Sequence, residues 1–140
     1  MHLDPVTVAH AEILYELLNE RSRESSISHR EMPSFEDHYT FVCGRPYFAW
    51  YMINVDGEYV GEVHMTRMNE LAVHIFDKYS GNGYASMALE MLMDLHEPRS
   101  GKKSQRVEAY LANLNPQDMD GIDLYSSLGF DLCQVTMRKP

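Results

Sequence analysis

The sequence is poor in cysteine and contains no long apolar run, and each shortage excludes a class of protein. Its 140 residues include two cysteines, Cys43 and Cys133, which are far apart and are expected to be free rather than part of a disulfide framework. No run of about 18 apolar residues occurs, so no membrane span is expected. No apolar leader precedes the first predicted helix, which argues against secretion. These absences predict a cytoplasmic protein.

Basic residues are also scarce, with 12 Lys and Arg against 21 Asp and Glu and a formal net charge of −9. Proteins that bind duplex DNA normally present a basic face, so no duplex nucleic acid partner is expected. An acidic surface suits a cationic or amine ligand, although the same charge also serves solubility. The length and the 44% hydrophobic content predict one globular domain over residues 1–140.

Hydrophobic periodicity predicts the element order α, α, β, β, β, α, β, α, β. Helices are expected at 8–19, 35–43, 84–96 and 118–128, and strands at 47–55, 59–67, 70–76, 106–112 and 130–139. The three strands within 47–76 form an antiparallel meander, and the unit 71–112 forms one right-handed βαβ crossover. The expected fold class is therefore α/β (mixed α+β), with a mixed central sheet and helices on both faces.

A glycine-rich turn, Ser80-Gly-Asn-Gly-Tyr-Ala, separates the third predicted strand from the third helix. Asn-Gly is typical of a β-hairpin, but the residues after Gly83 have helical spacing, which excludes a second hairpin strand. A strand, a tight glycine turn and a helix together bring free backbone N–H groups to one point, where a phosphate binds. The Walker pattern of nucleotide-binding loops requires Gly-Lys-Ser/Thr, which is absent here. The dinucleotide-binding pattern requires a third glycine, and Ser86 occupies that position. Both patterns therefore fit poorly.

This turn resembles the acyl-CoA loop of the GCN5-related N-acetyltransferase superfamily, Gln/Arg-x-x-Gly-x-Gly/Ala. Gly83 and Ala85 match that pattern, and Gly81 lies where many members have glycine. Ser80 stands in place of Gln or Arg, so one phosphate contact is lost while the backbone donors remain.

A second stretch resembles the family's Asn-x-x-Ala-x-x-Leu-Tyr-x-x-x-Gly-Phe motif. The matching residues are Leu124, Tyr125, Gly129 and Phe130, whereas Asp118 replaces Asn and Gly121 replaces Ala. The order and spacing of both motifs extend the resemblance over nearly the whole chain. About ten residues follow Phe130, enough for one strand where family members usually have two. The sheet edge there, and homodimerisation through it, are left open.

The resemblance implies an N-acetyltransferase that moves an acetyl group from acetyl-CoA to a primary amine of a small molecule or peptide by direct attack. The acetyl-CoA contacts it implies involve one strand, the glycine turn and the fourth helix: Val73, His74, Ile75, Ser80, Gly81, Asn82, Gly83, Tyr84, Ala85 and Asp118. The alternative is a non-catalytic CoA-binding or protein-interaction module on the same fold.

The resemblance also places Tyr125 as the general acid that protonates the leaving sulfur, although such a tyrosine is equally typical of a helix core. Glu70 is the candidate base, or else a solvated turn residue. His74 and His64, on neighbouring strands, are alternatives to it. The seven histidines show no metal-ligand spacing, so no metal is expected.

The acceptor is less defined by the sequence. His38 and Phe41 resemble the His-x-x-Phe of a branch that acetylates amino groups of nucleotide-linked sugars and protein N-termini, a spacing that ordinary helix packing also produces. The loop 20–32 contains basic residues that would meet an anionic substrate or be solvated, namely Arg21, Arg23, His29 and Arg30.

Overall fold

A four-stranded antiparallel sheet forms the centre of the computed structural model, which describes residues 1–21, 32–102 and 106–140. The strands lie side by side in chain order: β1 (His2–Pro5), β2 (Ala49–Val55), β3 (Glu58–Met65) and β4 (Leu71–Ile75). The helices are α1 (Ala11–Glu20), α2 (Phe35–Cys43), α3 (Tyr84–Leu95) and α4 (Met119–Ser127). Two single 3-10 turns, Val8–His10 and Asp77–Tyr79, precede α1 and the glycine turn.

The predicted meander is present as β2, β3 and β4. Its first turn has positive φ at Asp56 (52°) and Gly57 (86°), the backbone that a two-residue hairpin requires. The Gly57 N–H donates to Oδ1 of Asn54 at 2.9 Å and closes this turn. The second turn contains Asn69 at φ 64°, a conformation that asparagine adopts more readily than most residues.

The sheet separates two apolar cores, so the prediction of helices on both faces is confirmed. On one face, Ile53, Val63 and Leu71 pack with Leu89 and Leu92 of α3. On the other face, a smaller cluster joins α1, α2 and β2 through Ala11, Leu14, Val42 and Met52. Side chains alternate between faces along a strand, so even-numbered residues of β4 point toward α1 and α2.

The start of α2 is capped by a side chain, and glycines lie at the end of α2 and before α3. The Ser34 hydroxyl accepts a hydrogen bond from the Asp37 N–H at 3.1 Å and caps α2, which ends before Gly44. Gly83 precedes α3 with φ 77°.

No helix in the described ranges is long and apolar enough to cross a membrane. Arg23, His29 and Arg30 lie outside the described residues.

Three strand assignments differ from the sequence prediction. β1 was not expected, and it pairs with β2 from the far end of the chain, with His2 opposite Asn54. The expected strand 106–112 is reduced to a parallel bridge between Leu111 and Glu70, so the crossover ends in one bridge rather than in a strand. The expected strand 130–139 has no regular secondary structure, and Leu132, Val135 and Met137 are 87%, 74% and 90% exposed.

Candidate functional site

A narrow groove opens where the chain beyond Leu111 separates from β4. At the start of β4, the Leu71 N–H donates to the Leu111 carbonyl at 2.7 Å, and the Leu111 N–H donates to the Asn69 carbonyl at 2.8 Å. After this bridge the two backbones diverge around a space of about 250 Å³. The narrow groove is lined by β4 residues 71–75 on one side and by Asn113, Leu114 and α4 on the other. A gap is therefore present beside this strand.

The free edge of β4 presents main-chain groups to the narrow groove. Successive residues of a strand point their N–H and C=O to opposite edges, and Leu71 points away from β3 because it bonds to Leu111. By the same alternation, the main-chain N–H and C=O groups of Val73 and Ile75 point toward the narrow groove. Those of His74 point toward β3. Two of the three β4 residues expected to contact acetyl-CoA thus offer backbone donors and acceptors there.

The glycine turn follows Asp77, which lines one end of the narrow groove. Gly81 and Gly83 both have positive φ, 80° and 77°, and a Cβ added at either would meet nothing within 4 Å. Because α3 begins directly after Gly83, the N–H groups of its first turn, at Tyr84 and Ala85, have no acceptor within the helix. None of the turn residues 80–85 is among the described residues that line the groove itself.

The polar side chains of the turn bond to the turn itself. The Ser80 hydroxyl donates to the Asp77 carbonyl at 2.7 Å, and the Asn82 amide donates to the Tyr79 carbonyl at 3.0 Å. These bonds fix the backbone that carries Gly81 and Gly83.

Asp118 lines the narrow groove and caps α4 at the same time. Its Oδ1 accepts a hydrogen bond from the Gly121 N–H at 3.0 Å. A Cβ at position 121 would lie 2.4 Å from Oδ2 of Asp118, so the glycine leaves room for this carboxylate. The two residues that differ from the second family motif, Asp118 and Gly121, are thus in direct contact.

Tyr125 reaches the narrow groove from α4. The residue is 5% exposed, and its hydroxyl donates to the Leu71 carbonyl at a long 3.4 Å, next to the point where the backbones diverge. Burial, with smaller contributions from Glu62 and Asp118, raises the pKa of this phenol. The hydroxyl is therefore protonated at neutral pH and able to donate a proton.

A wide cavity of about 780 Å³ adjoins the groove on the α1–α2 side of the sheet. Aromatic and apolar side chains form much of its wall, including Phe41, Tyr47 and Trp50, and carboxylates enter it from Asp37, Glu62 and Glu70. The Trp50 ring packs edge-on against Tyr47 and Phe41, at 4.9 and 6.0 Å between ring centroids. The predicted acceptor residues His38 and Phe41 both line this cavity, where His38 also bonds to the Ala11 carbonyl at 3.0 Å.

Glu70 lies in the wide cavity at the bridge between β4 and Leu111. Its Oε1 accepts from the Thr66 hydroxyl at 3.1 Å, and its Oε2 accepts from the Asn113 side-chain amide. Both oxygens are thus engaged, which fixes the carboxylate beside the junction of cavity and groove.

Sequence reasoning missed Glu62, which joins the two histidines considered as alternative bases. Its Oε2 accepts from Nδ1 of His64 at 2.9 Å and from Nε1 of Trp50 at 2.9 Å, while Oε1 accepts from Nδ1 of His74 at 2.5 Å. The sequence shows only that Glu62 and His64 lie two residues apart, and so on one face of β3. The register of β3 and β4, which places His74 opposite Glu62, comes from the structure.

The same three side chains bring ligand-type atoms within 4.8 Å of one another, a spacing that a metal ion would accept. Each imidazole, however, already uses its Nδ1 for a hydrogen bond to Glu62. Hydrogen bonding already accounts for this arrangement, and we assign no metal to it.

Solved structures with a similar fold include several acetyltransferases. A ribosomal-protein-alanine N-acetyltransferase from Brucella melitensis matches with a TM-score of 0.76 and 18% identity, over 96% of this chain and 86% of that one. YncA, a putative acetyltransferase from Salmonella typhimurium solved with its cofactor acetyl-CoA, matches with a TM-score of 0.70 and 16% identity, over 93% and 79%.

The aminoglycoside 6'-N-acetyltransferase AAC(6')-IG from Acinetobacter haemolyticus matches with a TM-score of 0.70 and 14% identity, over 100% of this chain and 97% of that one. No protein-family model and no curated protein matches the sequence. The likeness therefore rests on structure alone. The chain has the fold of the GCN5-related N-acetyltransferases.

Proposed function

We propose that this protein transfers an acetyl group from acetyl-CoA to a primary amine. The observation that carries the proposal is the opening between β4 and residues 111–114, with the Tyr125 hydroxyl at its start and the glycine turn beyond its end. A thioester seated in this opening would have its pantetheine arm along the free edge of β4. The acetyl-CoA bound to the structurally similar YncA supports this choice of donor.

The donor is held at two places in this proposal. The main-chain groups of Val73 and Ile75 bond to the amides of the pantetheine arm, as an additional strand would. The pyrophosphate binds at Gly81–Ala85, where free N–H groups and the dipole of α3 favour an anion. The two glycines permit close approach because neither carries a side chain and no other atom occupies that space.

The amine enters through the wide cavity, whose carboxylates at Asp37, Glu62 and Glu70 favour an ammonium group. Glu70, the base predicted from the sequence, is better suited to hold this ammonium near the thioester than to take its proton, because both oxygens are already fixed by Thr66 and Asn113. The acceptors named for the similar structures, a ribosomal protein and an aminoglycoside, also carry amines.

Tyr125 protonates the sulfur as the carbon–sulfur bond breaks. Its hydroxyl lies at the mouth of the opening, and its raised pKa keeps it protonated until the thiolate forms. General acid catalysis of this type contributes about 10²- to 10⁴-fold to a rate.

A thermal-shift titration with acetyl-CoA tests the donor half of the proposal. At a ligand concentration of about 100 times the dissociation constant, binding stabilises the fold by about 2.7 kcal/mol, which raises the melting temperature by several degrees. No shift at millimolar acetyl-CoA would overturn the proposal. A shift without turnover of any amine would instead favour a non-catalytic CoA-binding module.

A further inference from the structure

Glu62 and His74 face each other across the pair of strands β3 and β4, on the side of the sheet covered by α1 and α2. His64 lies two residues along β3 on the same face. The Glu62 carboxylate is 5% exposed and accepts three N–H hydrogen bonds, from His64, His74 and Trp50. A buried carboxylate without such partners would be costly, so this arrangement keeps it ionised.

The bond to Glu62 fixes which nitrogen of His74 carries the proton. Because Nδ1 donates to the carboxylate, Nε2 is the nitrogen of the neutral ring that retains a lone pair. A carboxylate that orients an imidazole in this way prepares it to accept a proton and stabilises the imidazolium that forms.

His74 also lies at the boundary between the two spaces. The narrow groove and the wide cavity share part of their lining: Leu17, Arg21, Leu71, Ala72, His74 and Asn113. Among these described residues, only His74 has a side chain that gains and loses a proton near neutral pH. Glu62, His64 and Glu70 line the wide cavity alone.

We propose that Nε2 of His74 is the base that takes the proton from the incoming ammonium, and that Glu62 is its positioning residue. This inference rests on the proposed acetyl transfer. In this assignment His74 accepts the proton beside the acyl group, and Glu70 binds the ammonium group.

The proton balance follows from this assignment. The ammonium gives one proton to His74, and the freed nitrogen lone pair forms the bond to the thioester carbon. The carbon–sulfur bond breaks with its electron pair on sulfur, which takes a proton from the Tyr125 hydroxyl. The second proton lost by nitrogen restores the phenol, and the imidazolium releases its own proton to solvent.

The charges around His74 keep the ring neutral between turnovers. Burial lowers the pKa of His74, and the Arg21 and His64 groups act in the same direction, while the ionised Glu62 raises it in part. The other titratable groups that line these spaces are Glu20, Asp37, His38, Tyr47, Glu70, Asp77, Asp118 and Tyr125. The net effect places the pKa below its ordinary value of 6.5. The imidazole is therefore unprotonated at neutral pH. It becomes protonated, and can no longer act as a base, as the pH falls through this lowered pKa.

The pH dependence of kcat/KM for acetyl transfer tests the inference. The kcat/KM of the wild-type protein should fall at low pH. The midpoint of this fall, called the acid limb, should lie below pH 6.5. His74→Gln, which keeps an amide donor for Glu62, should lower kcat by about 10²- to 10⁴-fold and remove the acid limb. His2→Gln, on the exposed edge strand β1, is the matched histidine control and should leave both rate and limb unchanged.

Three further variants separate catalysis from folding. His74→Ala should regain activity when imidazole is added, a response that loss of structure does not give. Glu62→Gln should lower kcat with little change in the KM for acetyl-CoA, and it should move the acid limb to lower pH because the carboxylate no longer stabilises the imidazolium. His64→Gln should retain the acid limb.

An acid limb that persists in His74→Gln, or one that disappears in His64→Gln instead, overturns the inference while leaving the acetyltransferase proposal intact. Activity that depends on an added divalent metal and is lost to a chelator overturns it as well, since the imidazoles would then serve as ligands. Wild-type protein that neither binds acetyl-CoA nor acetylates any amine overturns both proposals together.

Discussion

Gly61 of β3 lies directly against the backbone of His74 in β4: a Cβ at position 61 would be 2.1 Å from the His74 carbonyl oxygen and 2.9 Å from Cα of Ile75. Both obstructing atoms belong to the main chain, so no side-chain rotation relieves the contact. The glycine therefore sets how closely β4 approaches β3, and with it the position of His74 and of the β4 edge along the narrow groove.

Gly61→Ala should destabilise the fold by about 1–3 kcal/mol, because the strands must separate to admit the methyl group. The free energy of unfolding from urea denaturation measures this. Gly44→Ala is the matched control: φ at Gly44 is −75°, and its added Cβ would be 3.5 Å from the nearest atoms. Equal stability of the two variants would show that β4 shifts freely at this point.

Asn69→Ala should destabilise the fold by about 1–3 kcal/mol, since it removes three side-chain hydrogen bonds to main-chain groups. The Asn69 side chain, fully buried, donates to the carbonyls of Arg99 and Val107 at 3.0 and 2.8 Å and accepts from the Arg99 N–H at 2.8 Å. It thereby ties the β3–β4 turn to the chain after α3. Asn82→Ala, which removes an exposed amide, should change stability by less than about 0.5 kcal/mol in the same denaturation measurement.

Tyr125→Phe should lower kcat by roughly a hundredfold or more, with little change in the KM for acetyl-CoA, because only the proton donor is removed. The lost hydroxyl makes one long hydrogen bond, so the melting temperature should hardly change. Tyr39→Phe, at an exposed position of α2, controls for the loss of a phenol. Unchanged turnover by Tyr125→Phe across the pH range would remove this residue as the acid.

Gly83→Trp should abolish acetyl-CoA binding, measured by isothermal titration calorimetry, because the indole fills the space proposed for the pyrophosphate. Gly83→Asn separates blocking from backbone strain, since asparagine tolerates the φ of 77°; it should fold and retain weaker binding. Ser80→Arg should keep or tighten binding by adding a cation at the family's polar position. Weaker binding by Ser80→Arg would mean that the turn does not hold the phosphates.

The sequence allowed prediction of those elements whose partners are adjacent in the chain. The three strands of the meander and all four helices have local signals, in alternation, helical spacing and the cap at Ser34. β1 has only four residues and depends on a partner some fifty residues away, which a local pattern does not reveal. The strand expected at 130–139 would need a neighbour at 106–112, and that segment joins the sheet only through Leu111.

The candidate site was predictable to the same extent. The glycine turn and Tyr125 are carried by motifs, and the structure has both near the opening beside β4. The link between Glu62 and His74 depends on the register of two strands, which the residue pattern alone does not set. Once the register is known, one cross-strand pair brings the carboxylate to the imidazole.

The most direct test of the acetyltransferase proposal is an assay with acetyl-CoA and a panel of amines that includes peptides, aminoglycosides, amino sugars and polyamines. Free CoA thiol and acetylated amine, the latter identified by mass spectrometry, are quantified together. The account predicts that at least one amine yields the two products in equal amounts, and that Gly83→Trp abolishes both. Acetyl-CoA that binds but gives thiol no faster than in the absence of protein, with no amine acetylated, would contradict it.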